Sequence, residues 1–176
     1  MSTAELVAAL DSPSGWQRDL AQMMLIWKQD KSAVPLLERL VTQSRNPLAR
    51  LHALCTLDGL NTLGDINPTN LVLLKQAQTD SEPGVRRHGV RLSNVLTTTL
   101  MNRAGEDEHD PRVRLELAYT LGRWDDDGHI LGTMAVNDAN DRFVSAAVMS
   151  SITKKNLSDV LLTVLKSEKP KPAALV

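Results

Sequence analysis

The sequence predicts an all-α fold, an α-solenoid of about five two-helix repeats. Three observations point to it. Apolar residues recur at helical spacing along nearly the whole chain, and no stretch alternates as a strand would. Aromatic residues make up only 3% of the sequence, so the core is built from Leu, Val and Ala, which suits helix-on-helix packing better than a β-sandwich. A helix-start signal, a cap residue or turn followed by proline or glycine, returns at a period near 30 residues.

The elements follow in order. Thr3 to Leu10 is a short helix with Leu6, Val7 and Leu10 on one face, and Asp11-Ser12-Pro13-Ser14-Gly15 breaks it. Trp16 to Trp27 is the next helix, its apolar face read as Leu20, Met23, Met24 and Trp27. After the turn Gln29-Asp30-Lys31, Ser32 is placed to cap a helix that tolerates Pro35 in its first turn and ends near Gln43. Asn46 caps a helix with Pro47 at its first position, running to about Leu60 and stopping near Gly64. Asn67-Pro68 repeats the signal, with Leu71, Leu74 and Ala77 as the apolar face. Glu82-Pro83 opens a helix through Val85, Val90 and Leu92, continuing over Ser93 to Arg103 after a bend. Residues Gly105 to His109 form a polar connector. Asp110-Pro111 starts a helix with Val113, Leu117 and Leu121, ending at Gly122 or Trp124, and Asp125 to Gly128 is a turn. His129 to Ala135, Arg142 to Thr153 and Leu157 to Leu165 are the last helices. The repeat domain is therefore expected over 1–166, and 167–176, with two prolines, reads as a flexible tail or linker.

Bulk properties narrow the function classes. Lys plus Arg number 20 and Asp plus Glu 21, a formal charge of -1, so no basic excess suggests nucleic acid. Cys55 is the only cysteine, which removes an internal disulfide and any cysteine-based zinc or iron–sulfur site; its apolar helix marks it as a buried small residue. No window reaches the roughly 20 apolar residues of a membrane span, and the first residues do not read as a signal or transit peptide. A protein without membrane insertion, monomeric and without cofactor or metal, is the expectation. No Gly-rich phosphate loop, His-Glu-x-x-His or ordered Ser/His/Asp set occurs.

The repeat itself is visible by aligning the second helix of each pair at Gly15, Pro47, Pro83, Pro111 and Asp141, with separations of 32, 36, 28 and 30 residues. Three residues on stand Arg18, Arg50, Arg86 and Arg114, with Val144 in the fifth unit. A further three on stand Ala21, Ala53, Gly89, Leu117 and Ala147, mostly small residues that let helices approach. A first-turn arginine is disfavoured by the helix dipole. These four are therefore read as a structural ladder reaching a carboxylate or carbonyl of the neighbouring unit, with Asp19, Asp58, Asp80 and Asp110 as candidate partners.

The arginine-spaced pairs resemble HEAT repeats of the PBS-lyase-like type. Gly15 to Gln22, Asp30 to Pro35 and Asn46 to Leu54, continued by Pro83 to His88 and Asp110 to Ala118, are similar to the HEAT segment of large exported bacterial proteins described as membrane-bound dehydrogenase-like. The resemblance covers roughly residues 3–165. It implies a periplasmic or exported setting, with a β-propeller before the repeats and a c-type haem domain after them. This chain has no Cys-x-x-Cys-His, so the resemblance implies a connecting module rather than a catalytic part. An accessory role in a haem-containing dehydrogenase-like enzyme and a bilin-lyase-like HEAT protein are the alternatives.

Candidate site residues lie on the second helices. Arg86, Arg87, His88 and Arg91 form the most basic segment, suited to an acidic partner patch. His52 and His88 take equivalent places, with Glu116 following on the next second helix, which raises a metal or anion as a minor reading beside plain hydrogen-bonded histidines. Trp16, Trp27 and Trp124 are expected to cover the core at unit ends. The leading expectation is a non-catalytic scaffold that presents Arg87, His88, Arg91, Glu116 and Tyr119 to a protein partner or to adjoining domains.

Overall fold

The computed structural model describes residues 1–64, 67–93, 108–123 and 128–168. The described residues form ten α-helices and one short 3₁₀ turn, with no strand among them. The chain is all-α. It divides into two compact units, Met1–Val95 and Leu96–Val176. The expected helix over 94–103, Trp124, the turn over 125–127 and most of the expected tail lie outside the described residues.

In the first unit α1 spans Thr3–Ala9 and is closed by a capping box, in which Ser2 and Glu5 satisfy each other's backbone N–H groups. Helix α2 spans Gly15–Lys28 and ends on Gln29 in the left-handed region, φ 50°. Asp30, not Ser32, makes the next cap: its carboxylate accepts from Ser32 N and starts the 3₁₀ turn Lys31–Ala33. Helix α3 (Val34–Gln43) follows directly, with Pro35 in its first turn. Helix α4 spans Pro47–Gly59, and Asn46 Oδ1 accepts from Leu48 N at 3.1 Å. Its end comes earlier than Gly64, because Asn61 takes the left-handed conformation (φ 54°) and reverses the chain.

Helix α5 (Pro68–Gln78) is capped by Asn67, and α6 spans Pro83–Arg91. The buried face of α5 is Asn70, Leu73, Leu74 and Ala77, while Leu71 is largely exposed. Asn70 fits inside because its amide donates to Thr62 O at 2.7 Å.

These helices pack in sequence-adjacent pairs: α1 on α2, α3 on α4, and α5 on α6. The first members also touch in series, α1–α3–α5, and so do the second members, α2–α4–α6. Leu6, Leu10, Leu25, Leu37, Leu54, Leu57 and Leu60 fill the space between the two rows and are essentially inaccessible. Each such leucine contributes about 1.5–3 kcal/mol through burial. Gly89 is the tightest point of the α5–α6 pair. A Cβ there would stand 2.7 Å from the backbone of Ala77 and Gln78, so only glycine fits.

In the second unit α7 spans Pro111–Arg123, α8 Gly128–Asn137, α9 Arg142–Ser151 and α10 Leu157–Lys166. Asp141 caps α9 by accepting from Phe143 N and Val144 N. Helix α7 packs on α9, α8 packs on α10, and α8 also packs on α9. Gly122 does not end α7. It lies inside the helix against Ser151 of α9, where a Cβ would come within 2.5 Å. At the start of this unit Glu108, expected in a polar connector, is buried; its carboxylate accepts from Asp110 N at 3.0 Å. No described helix is long and apolar enough to cross a membrane.

Candidate functional site

The arginines define a local motif. Nη1 of Arg18, Arg50, Arg86 and Arg114 donates to the carbonyl six residues back: Ser12 (2.7 Å), Ser44 (2.9 Å), Asp80 (2.8 Å) and Glu108 (2.9 Å). The side-chain oxygen of each of those four residues accepts from the backbone N–H two residues on, at Ser14, Asn46, Glu82 and Asp110. The arginine thus ties its helix to the turn that precedes it and offsets the dipole cost of a first-turn cation. The carbonyls belong to the same pair of helices as the arginine, not to its neighbour.

The rest of the guanidinium reaches forward. Nε and Nη2 of Arg50 hold Asp80 at 2.7 and 2.6 Å, and those of Arg114 hold Asp138 at 2.7 and 2.5 Å. Both are bidentate, nearly buried pairs. Asp80 was among the expected partners, but Asp138 was not. The other three candidates serve elsewhere. Asp19 lies 3.9 Å from His52, Asp58 lines an opening beside Arg91, and Asp110 pairs with the exposed Arg112.

A second row of polar groups runs across the second helices of the first unit. Gln22 on α2 meets His52 Nδ1 on α4 at 2.7 Å, and Cys55 Sγ on α4 meets His88 Nδ1 on α6 at 3.7 Å. Arg91 Nη2 donates to His88 Nδ1 at 3.0 Å. A guanidinium can only donate, so His88 carries its proton on Nε2. Burial first, then Arg91, Arg87 and His52, lower the His88 pKa to about 4. Burial and Arg18 lower that of His52, against a raising contribution from Asp19. Both imidazoles are neutral near pH 7.

Cys55 is half-buried rather than enclosed. Burial raises its thiol pKa, partly offset by Arg91. The His88 Nδ1 lone pair is shared between the Arg91 donor and the Cys55 thiol, and burial favours the protonated thiol. Beside it Asp58, Leu63, Gly64, Arg91 and Leu92 line a shallow cavity of about 410 Å³. No group of three or more His, Cys, Asp or Glu among the described residues could hold a metal ion. Glu116, half-buried, and Tyr119, exposed, lie on α7 in the second unit.

The tryptophans depart from expectation. Trp16 is 71% and Trp27 74% exposed, and Met23 between them is also exposed. The buried face of α2 is Arg18, Ala21 and Leu25. Helix α2 carries two apolar stripes, and the narrower one, with buried Ala21 and Leu25, faces its neighbours. Matching the repeats aligns Met23 with Cys55 and Arg91, and Trp16 with exposed Leu48. The contacts of Gln22 with His52 and of Cys55 with His88 set α2, α4 and α6 side by side, with exposed Trp16, Met23 and Trp27 on α2 and exposed Arg87 and Arg91 on α6. No family model matches the chain, and no curated protein is similar to it.

Proposed function

We propose that the chain is a non-catalytic α-solenoid of about five HEAT-like two-helix repeats that binds or positions protein, as a connecting module of a larger exported protein. The paired packing within each unit and the recurring arginine motif support the repeat reading. The single observation that carries the binding reading is the surface of α2, α4 and α6. It exposes Trp16, Met23 and Trp27 at one end and Arg87 and Arg91 at the other. Exposed tryptophan and arginine are the residues that most often dominate protein–protein affinity, and Trp16, Met23 and Trp27 recur at helical spacing on one helix. The partner it suits is a protein segment with apolar anchors followed by carboxylates.

Cross-linking with mass spectrometry in host extract identifies the bound protein, and titration of that purified partner then tests the surface. Trp16→Ala or Trp27→Ala is expected to weaken binding about tenfold or more. Arg87→Glu with Arg91→Glu is expected to slow association in a salt-dependent way. A direct partner whose affinity ignores all four changes removes this surface from the proposal. Turnover of a defined substrate by the isolated chain, abolished by His88→Gln, would remove the non-catalytic reading.

A further inference from the structure

Helices α4 and α6 both end at the shallow cavity of about 410 Å³. Its wall holds one carboxylate and one guanidinium: Asp58 from the last turn of α4 and Arg91 from the end of α6. Leu63 and Leu92 supply apolar wall, and Gly64 supplies main chain. A Cβ on Gly64 would meet no atom within 4 Å, so that side of the cavity stands open. The volume lies at the lower end of the range for small-molecule sites, about 300–1,000 Å³.

The fold does not use up the two charges. In the rungs an arginine and an aspartate close on each other, as Arg50 does on Asp80. Asp58 and Arg91 instead line a cavity, both exposed, and neither forms an ion pair among the described residues. Arg91 Nη2 donates to His88 Nδ1 at 3.0 Å. That bond orients the guanidinium and leaves further N–H groups for an acceptor.

A lone acid would suit a cation, and a lone base an anion. Both signs on one small wall select a molecule that carries both. The carbonyl ends of α4 and α6 add to Asp58 in favouring an ammonium group. The planar fork of Arg91 matches a carboxylate. We propose that this cavity binds a small zwitterion, a free α-amino acid with an aliphatic side chain. Its ammonium group faces Asp58, its carboxylate Arg91, and its side chain Leu63 and Leu92. The site is separate from the apolar end of the docking surface, since no residue of α2 lines it.

The test is isothermal titration calorimetry of L-leucine into the whole chain. N-acetyl-L-leucine and L-leucinamide, each lacking one of the two charges, serve as comparisons. Wild type is expected to bind leucine with a Kd of about 0.1–1 mM and each analogue about fivefold more weakly. Asp58→Asn is expected to lose the preference over N-acetyl-leucine and keep that over leucinamide. Arg91→Gln is expected to do the reverse. A variant that merely loosened the fold would weaken all three ligands alike, and that outcome overturns the assignment of the two charges. No binding of leucine to wild type, or an analogue bound as tightly as leucine, also overturns the proposal; the second result would mark a simple amine or anion site instead.

Discussion

The two units share one device and differ in the packing around it. Arg50–Asp80 in the first and Arg114–Asp138 in the second have the same bidentate geometry and the same backward bond from Nη1 to a turn carbonyl. Around the first pair, leucines fill the gap between rows of helices. Both units also have helices that meet through glycine: Gly89 of α6 lies against α5 in the first, while in the second Gly128 and Gly132 of α8 lie against α10 and Gly122 of α7 lies against Ser151. The rung sets the register between successive turns, and the side chains between the helices set only the spacing. That is why the rung persists while the packing varies.

Breaking the shared device gives the largest effect. Asp138→Ala leaves the nearly buried Arg114 without its carboxylate, and Asp80→Ala does the same to Arg50. Losing one partner of a buried pair costs about 3–5 kcal/mol, so each variant is expected to melt about 10 °C lower. Equal losses in both units, measured by calorimetry, support a common role. A loss in one unit alone would mean that the surrounding packing, not the rung, decides.

Glycine positions separate tight helix contacts, present in both units, from open ones. A Cβ on Gly128 would stand 2.4 Å from Asn156 O and 2.6 Å from Asp159 Cβ, whereas one on Gly84 in the first unit meets nothing closer than 3.9 Å. Gly128→Ala is therefore expected to destabilise by about 1–3 kcal/mol. Gly84→Ala is expected to be neutral or to stabilise by up to about 1 kcal/mol through helix propensity. Denaturant titration of the two variants checks the sign.

Much of this was legible in the residues, and the failures have physical causes. The proline and asparagine starts of α4 and α5 follow from local chemistry, so they were readable. Ser32 does not cap α3, because Asp30 accepts from Ser32 N and a 3₁₀ turn forms first. Trp16 and Trp27 were placed over the core because periodicity reports a stripe, not which of two stripes is inward. The small residue Ala21, repeated as Ala53, Gly89 and Ala147, marks the inward side. Asp138 is not among the expected partners because it lies 24 residues beyond Arg114, in the turn that precedes the next second helix. The position six residues before Arg18, Arg50, Arg86, Arg114 and the equivalent Val144 reads Ser12, Ser44, Asp80, Glu108 and Asp138, a register visible in the sequence.

Among the described residues, the first unit carries a neutral, half-buried histidine against an arginine, which makes its stability pH-dependent in a defined direction. The His88 pKa falls from 6.5 to about 4 on folding, chiefly through burial and Arg91. Between those values the unfolded chain binds a proton that the folded chain refuses. Stability is complete above about pH 7 and declines as pH drops toward 4. Solvent screening at this half-buried position leaves a contribution of about 1–2 kcal/mol. His88→Gln is expected to flatten the curve over that window, as read by denaturant midpoints from pH 7 to pH 4. A wild-type curve that rises toward pH 4 would contradict the assignment.

The smallest expected effect tests whether the α2 surface is packing or docking. Trp16 and Trp27 are more than two-thirds exposed, so they contribute little to folding in the free chain. Trp16→Ala and Trp27→Ala are expected to shift stability by no more than about 0.5 kcal/mol, far below the 2–5 kcal/mol for an inward leucine such as Leu25→Ala. Loss of several kcal/mol at either tryptophan would return them to the core. Unchanged stability together with weakened partner binding would separate the surface that docks from the face that folds.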